Sequence, residues 1–112
     1  MHDGNGNLVI ALYRPKAGME GALRELIAKH APTLRKERLA TDRPVVLLQA
    51  SDGTYLEIFE WVPGGAEKAH TNPAVLAVWG PMHECADFAT LASLPESQQP
   101  FPHFRPVDGV TR

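Results

Sequence analysis

Two side chains near the middle of the chain, His70 and Glu60, are of the types that acid–base chemistry uses. Histidine exchanges its proton closest to neutral pH, and a positioned imidazole is the commonest general base. A buried carboxylate is costly without a partner, so we predict His70 and Glu60 as a catalytic acid–base dyad. The sequence leaves a plainer alternative open, in which His70 bonds a loop carbonyl and Glu60 reaches solvent at the end of its strand.

Three further side chains, Trp79, Phe59 and His83, are candidates for binding a substrate. Trp79 lies on the apolar stripe of a predicted helix, where its indole offers a flat wall and an N–H donor to an aromatic ligand. The alternative for Trp79 is packing in the core. We predict that these three residues shape a binding pocket.

The histidines and the single cysteine do not indicate a metal or a cofactor. His30 and His83 lie at or beside predicted helix stripes, but no two histidines have the His-x-x-x-His spacing of a helix-borne zinc site. Cys85 occupies a helix position that usually holds a small buried hydrophobe. We therefore predict no metal site and no cofactor.

The stretch TYLEIFEWV, residues 54–62, has the composition of a strand that is apolar on both faces. Successive side chains point to opposite faces, and we expect the helices to cover the face that carries Leu56, Ile58, Glu60 and Val62. An exposed aromatic row would be unusual for a monomer, so we predict that the other face packs against a second copy in a two-fold dimer. Glu57 would pair there with Arg105 or His103. The predicted interface residues are Tyr55, Glu57, Trp61 and Arg105.

Hydrophobic periodicity along the chain predicts the order β-α-β-β-α-β. Asp52-Gly53 is the signal of a hairpin, Asn72-Pro73 is the signal of a helix start, and Pro32 predicts a break or kink in the first helix. Residues 87–100 are ambiguous between an extended segment, a short helix and a loop. The predicted strands are residues 8–14, 45–50, 54–62 and 101–107. This order predicts an α+β ferredoxin-like plait, a four-stranded antiparallel sheet with both helices on one face.

Length and composition predict one globular domain. The chain has 112 residues, 44% apolar and 21% charged, with a formal net charge of -2. We divide it into a disordered leader (1–7), a domain (8–107) and a tail (108–112). Charges are interspersed, which argues against nucleic acid as a partner, and no apolar run is long enough to cross a bilayer. Without an export signal, and with a single cysteine, we predict a cytoplasmic protein.

The segments DGTYLEIFEW, AEKAHTNPAVLAVW and PFPHFRPV together resemble the dimeric α/β-barrel superfamily, in particular its antibiotic-biosynthesis-monooxygenase-like domains. The resemblance covers about residues 8–107. It implies a barrel formed across a homodimer and a small-molecule pocket between each sheet and its own helices. It also implies cofactor-free oxidation of polycyclic aromatic substrates. Haem degradation occurs in related members, but its pattern needs an Asn that residues 8–14 lack.

These observations give two functional hypotheses. The first is a small-molecule enzyme of the monooxygenase-like kind, in which His70, paired with Glu60, abstracts a proton and the substrate carbanion reacts with dioxygen. The second is a non-catalytic ligand-binding or stress-response dimer. The two differ in whether Glu60, His70 and Trp79 converge on one cavity.

Overall fold

A computed structural model describes residues 6–108 of the chain, and the ends of the predicted leader and tail lie outside this range. The described part contains five strands, three α-helices and two short 3-10 helices. In chain order they are β1 (Asn7–Pro15), α1 (Glu20–Lys36), β2 (Val46–Gln49), β3 (Tyr55–Trp61), α2 (Gly65–Ala69), α3 (Pro73–Cys85), β4 (Ala86–Phe88), 3-10 helices Leu91–Ser93 and Pro95–Gln98, and β5 (Arg105–Pro106).

The strands form one antiparallel sheet in the order β4-β1-β3-β2-β5. This α+β arrangement is compatible with a ferredoxin-like plait. The sheet has five strands instead of the four predicted, because the chain turns extended at Ala86, directly after α3, and β4 pairs with β1. The predicted C-terminal strand shortens to Arg105–Pro106 beside β2, at the opposite edge. Its prolines lack the N–H that a longer ladder would need.

Two local signals are confirmed. The loop between β2 and β3 turns at Asp52-Gly53, where Gly53 has φ 94°, a backbone conformation that favours glycine. The Asn72 side chain accepts a hydrogen bond from the Val75 N–H at 3.1 Å, which caps α3 at the predicted residue.

Of the break or kink predicted at Pro32, the break is wrong, because α1 continues through Pro32 to Lys36. The apolar side of α1 packs on both sides of the proline, with Ile27 and Leu34 fully buried. This tertiary packing outweighs the loss of one backbone hydrogen bond.

The two faces of β3 are exchanged relative to the prediction. Tyr55 packs with Leu23 and Met82, and Phe59 packs with Leu34 and Val75, so the helices cover the aromatic face. Alternation separates the two faces of a strand but does not say which one the helices cover when both are apolar.

The opposite face of the sheet is covered only in part. Leu94 and Phe104, from the segment between β4 and β5, pack against Leu12 and Leu56. Further along the same face, the exposed fractions are 61% for Leu8, 41% for Ile10 and 46% for Val46. None of the helices in residues 6–108 is both long and apolar enough to cross a membrane.

Candidate functional site

A histidine–carboxylate pair lies buried between the sheet and α1. His30 shares the inward side of α1 with Leu23 and Ile27, and Glu57 is at the centre of β3. His30 is 2% exposed and Glu57 0% exposed. The His30 Nδ1 atom lies 2.8 Å from Glu57 Oε1, which is the geometry of a direct hydrogen bond.

The second ring nitrogen of His30 identifies the tautomer. Trp79 Nε1 lies 2.9 Å from His30 Nε2, and an indole N–H only donates. His30 Nε2 therefore accepts, so the imidazole is neutral, and its proton is on Nδ1 and is donated to Glu57. This is the arrangement in which a carboxylate orients a histidine so that its other nitrogen can act as a base.

Tyr13 completes the network from the neighbouring strand. Its hydroxyl donates to Glu57 Oε1 at 2.8 Å. Burial, followed by the neighbouring Glu57 carboxylate, raises the pKa of Tyr13 well above its ordinary value of 10.0, because both disfavour a phenolate. Glu57 Oε2 is buried and has no hydrogen-bond partner among residues 6–108.

A pocket of about 280 Å³ opens beside this network. His30 and Tyr13 line it together with four aromatic side chains, which are Phe59, Trp61, Trp79 and Phe88. Its volume is near the lower end for small-molecule sites, and such sites typically combine apolar walls with a few polar groups. The pocket therefore suits a small, flat, apolar molecule next to a histidine.

A larger and more polar cleft of about 450 Å³ lies at the hairpin, where Glu96 and His103 contribute to its lining. Glu96 is bound there by the Ser51 N–H at 2.8 Å, which is the main reason why the pKa of Glu96 is lowered. No hydrogen bond joins Glu96 to His103 in the described part of the chain. The cleft therefore lacks the linked acid and base found at His30.

His70, the predicted base, bonds a main-chain carbonyl, as in the plainer of the two alternatives, but this carbonyl belongs to helix α2 and not to a loop. It is exposed, and its Nδ1 atom lies 2.7 Å from the Ala66 carbonyl oxygen, to which it must donate. Its ring packs edge-on against Trp79 with 5.1 Å between centroids. His70 therefore supports the outer side of Trp79, and its catalytic role stays a prediction.

Glu60, the predicted partner of His70, points to the face of the sheet that the helices do not cover. It accepts hydrogen bonds from Thr41 at 2.9 Å and Arg43 at 3.0 Å, and these bonds lower its pKa, with the Arg43 bond contributing most. The structure does not bring Glu60 and His70 together, so the predicted dyad is not formed.

The structure brings two of the three predicted substrate-binding residues, Trp79 and Phe59, to the pocket wall. The third, His83, stacks on the outer side of Phe88 with 4.4 Å between ring centroids. It therefore contacts a wall residue of the pocket. That any of the three binds a substrate stays a prediction.

The predicted interface residues occupy the helix-covered face. Tyr55 is fully buried and donates to Glu20 at 2.7 Å, Trp61 lines the pocket, and Arg105 donates to Gln49. Glu57 bonds His30 and Tyr13 of the same chain, so the predicted pairing with Arg105 or His103 is not present. This correction follows from the exchange of faces.

The linked site of Tyr13, His30 and Glu57 was missed at the sequence level. Its signals were His30 on the apolar stripe of α1 and a carboxylate among aromatics on β3. In residues 6–108, no three His, Cys, Asp or Glu side chains are grouped so that they could hold a metal ion.

No protein-family model matches the chain, and searches of curated proteins and of solved structures returned no match. The function of the chain is therefore inferred from the geometry and chemistry of the site.

Proposed function

We propose that this protein is a small-molecule enzyme that oxidises an aromatic or conjugated substrate with dioxygen and without a cofactor, using His30 as its base. The strongest support for this proposal is the pair of hydrogen bonds at the two ring nitrogens of His30. Buried Glu57 fixes the proton on Nδ1, so that Nε2 carries the lone pair, and His30 lines an aromatic pocket.

The reaction needs an acidic C–H group on the substrate. His30 Nε2 takes one proton from a CH₂ group that is linked to a carbonyl through a conjugated ring, as in anthrone, and the electron pair of the broken C–H bond is delocalised as a carbanion. Dioxygen accepts these electrons and forms a C–O bond, and the resulting peroxide takes back the proton. Loss of water then breaks the O–O bond and the second C–H bond, so that CH₂ plus O₂ gives C=O plus H₂O.

Glu57 acts as a positioning residue in this mechanism. It holds the Nδ1 tautomer before the reaction and stabilises the imidazolium that forms when Nε2 takes a proton. Trp79 has a different role, since its N–H donates a hydrogen bond to His30 Nε2. The substrate must displace this indole before proton transfer.

The Trp79 contact also favours a second candidate function. If the indole stays on His30 when a ligand is bound, the lone pair is not available and the protein is a non-catalytic ligand-binding module. Ligand binding without dioxygen uptake would identify this case.

The partner that we propose is a second copy of the chain, bound through the face that the helices leave open. Leu8, Ile10 and Val46 form an exposed apolar row on that face, and a contiguous patch of this kind is typical of an interface. We also propose a cytoplasmic location, since the single cysteine of the chain, Cys85, is a buried free thiol.

The proposal is tested by dioxygen uptake with anthrone as substrate, comparing wild type with His30→Gln and His70→Gln. Loss of a general base reduces rates by about 10²–10⁴-fold, and we expect a loss in this range for His30→Gln and little change for His70→Gln. Circular dichroism checks the fold of each variant. Equal rates for wild type and His30→Gln, or a loss confined to His70→Gln, would remove His30 from the mechanism.

A further inference from the structure

One edge of the pocket is formed by the outer edge of β1. Strand β4 pairs only with Tyr13, Arg14 and Pro15, and the Leu12 carbonyl accepts a hydrogen bond from the Ala89 N–H at 3.1 Å. The Leu12 main chain therefore points away from β3. In an antiparallel ladder the direction alternates from residue to residue, so the main-chain groups of Ile10 and Leu8 point to the same open side.

The main chain of Ile10 has no neighbouring strand on that side within residues 6–108. Ile10 is opposite Ile58 in the β1–β3 register, and its side chain shares the face that the helices do not cover. Ile10 nevertheless lines the pocket, which lies on the helix side. It therefore contributes its main chain to the rim, with an N–H donor that no strand uses.

We infer that the Ile10 main-chain N–H donates a hydrogen bond to the carbonyl oxygen of the substrate. This inference rests on the proposed function. When His30 removes a proton from a carbon that is conjugated with a ketone, negative charge develops on the ketone oxygen. A fixed N–H donor at that oxygen stabilises the charge, and donors of this kind contribute most when they are held in place before the reaction.

The strand edge suits this role because its geometry is fixed by the sheet. β1 is held along its inner side by β3 from Asn7 to Tyr13, so the Ile10 N–H is held in place without a ligand. The aromatic walls supply affinity for flat apolar rings, and the N–H selects those rings that carry an oxygen. A hydrocarbon of the same shape leaves the N–H without an acceptor.

The test measures binding of two probes with the same ring skeleton, anthrone and 9,10-dihydroanthracene. The chain has two tryptophans, Trp61 and Trp79, and both line the pocket, so quenching of tryptophan fluorescence reports binding of either probe. The variant Ile10→Pro removes the N–H, which an edge strand tolerates when that N–H points away from the sheet. Ile10→Ala keeps the N–H, and Leu8→Pro controls for a proline in the same edge.

We expect wild type and both controls to bind anthrone about fivefold more tightly than dihydroanthracene, which corresponds to one hydrogen bond. Ile10→Pro should lose this preference while its affinity for dihydroanthracene stays unchanged. Its rate of anthrone oxidation should fall by about 10²-fold, as when one oxyanion donor is removed.

The inference is overturned if wild type binds neither probe, if it binds both equally, or if Ile10→Pro keeps the preference for anthrone. These binding results do not depend on turnover. A preference that Ile10→Pro abolishes, in a protein that consumes no dioxygen, would support the carbonyl site and reject the proposed oxidation. Oxidation that needs His30 but is equal in Ile10→Pro and Ile10→Ala would reject the carbonyl site alone.

Discussion

Replacing Tyr13 by phenylalanine measures how strongly the buried Glu57 carboxylate depends on its partners. The change removes one of the two hydrogen bonds at Oε1 and leaves the bond to His30. The second carboxylate oxygen of Glu57, Oε2, has no hydrogen-bond partner among residues 6–108, so no other bond to the carboxylate compensates for the one that is lost. A hydrogen bond to a charged group contributes about 1.5–3 kcal/mol, so the free energy of unfolding should fall by about that amount.

The second tyrosine supplies a matched control. Tyr55 is opposite Tyr13 in the β1–β3 register, it is equally buried, and its hydroxyl also donates to a carboxylate, that of Glu20. Glu20 is exposed, so water replaces the lost bond in Tyr55→Phe. We expect a loss of about 0.5–1 kcal/mol for the control.

Urea denaturation followed by circular dichroism measures both losses, provided that the dependence of the free energy on urea is the same for all three proteins. Total stabilities are about 5–15 kcal/mol, so a loss of about 2 kcal/mol is well resolved. If Tyr13→Phe costs no more than Tyr55→Phe, Glu57 is not a buried carboxylate that depends on two donors, and the reasoning about the site is refuted.

Three further predictions concern pH and assembly. The pKa of Glu60 is lowered from 4.5, so between its folded and unfolded pKa values the unfolded chain binds more protons and stability falls as pH drops below 4.5. Glu60→Gln should make this fall less steep in denaturation curves, while Glu20, Asp52 and Glu96, whose pKa values are also lowered, keep part of it. An unchanged slope would contradict the lowered pKa of Glu60. The pKa values of Tyr13 and Tyr55 are raised above 10.0, so the unfolded chain loses these protons first and stability falls as pH rises through 10.0. Tyrosinate absorbance should therefore increase together with unfolding, and an increase centred on pH 10.0 in folded protein would be evidence against burial. If the proposed dimer forms, wild type sediments as a dimer and Ile10→Asp as a monomer in sedimentation velocity. Leu76→Asp is a control on α3 with similar exposure (45% against 41%), and it should leave the dimer intact. A monomeric wild type, or a dimer that survives Ile10→Asp, would reject this interface.

The sequence predicts features that depend on neighbouring residues. The turn at Gly53 and the cap at Asn72 each follow from two adjacent residue types, and both are confirmed. The orientation of β3 depends instead on which of its two apolar faces is covered by α1 and α3. Because both faces are apolar, the residues of β3 alone do not predict which one is covered. For this reason Glu60 was predicted on the helix-covered face and Glu57 on the opposite face, whereas the structure has the reverse.

The site was not predictable for a related reason. Tyr13, His30, Glu57 and Trp79 come from four different elements and meet only when the fold is complete. No local spacing joins them, whereas His70 and Glu60 are close in sequence. At the sequence level, His70 was paired with Glu60 because they are close in the chain. The structure instead joins His30 to Glu57, which are 27 residues apart.

The most direct test of the account is the protonation of the two ring nitrogens of His30, measured by nitrogen-15 nuclear magnetic resonance of the folded protein near neutral pH. The chain has five histidines, and the spectrum of His30→Gln identifies the signals of His30. The account predicts a proton on Nδ1 and none on Nε2. A proton on Nε2 would contradict it, because His30 would then present no lone pair to the pocket.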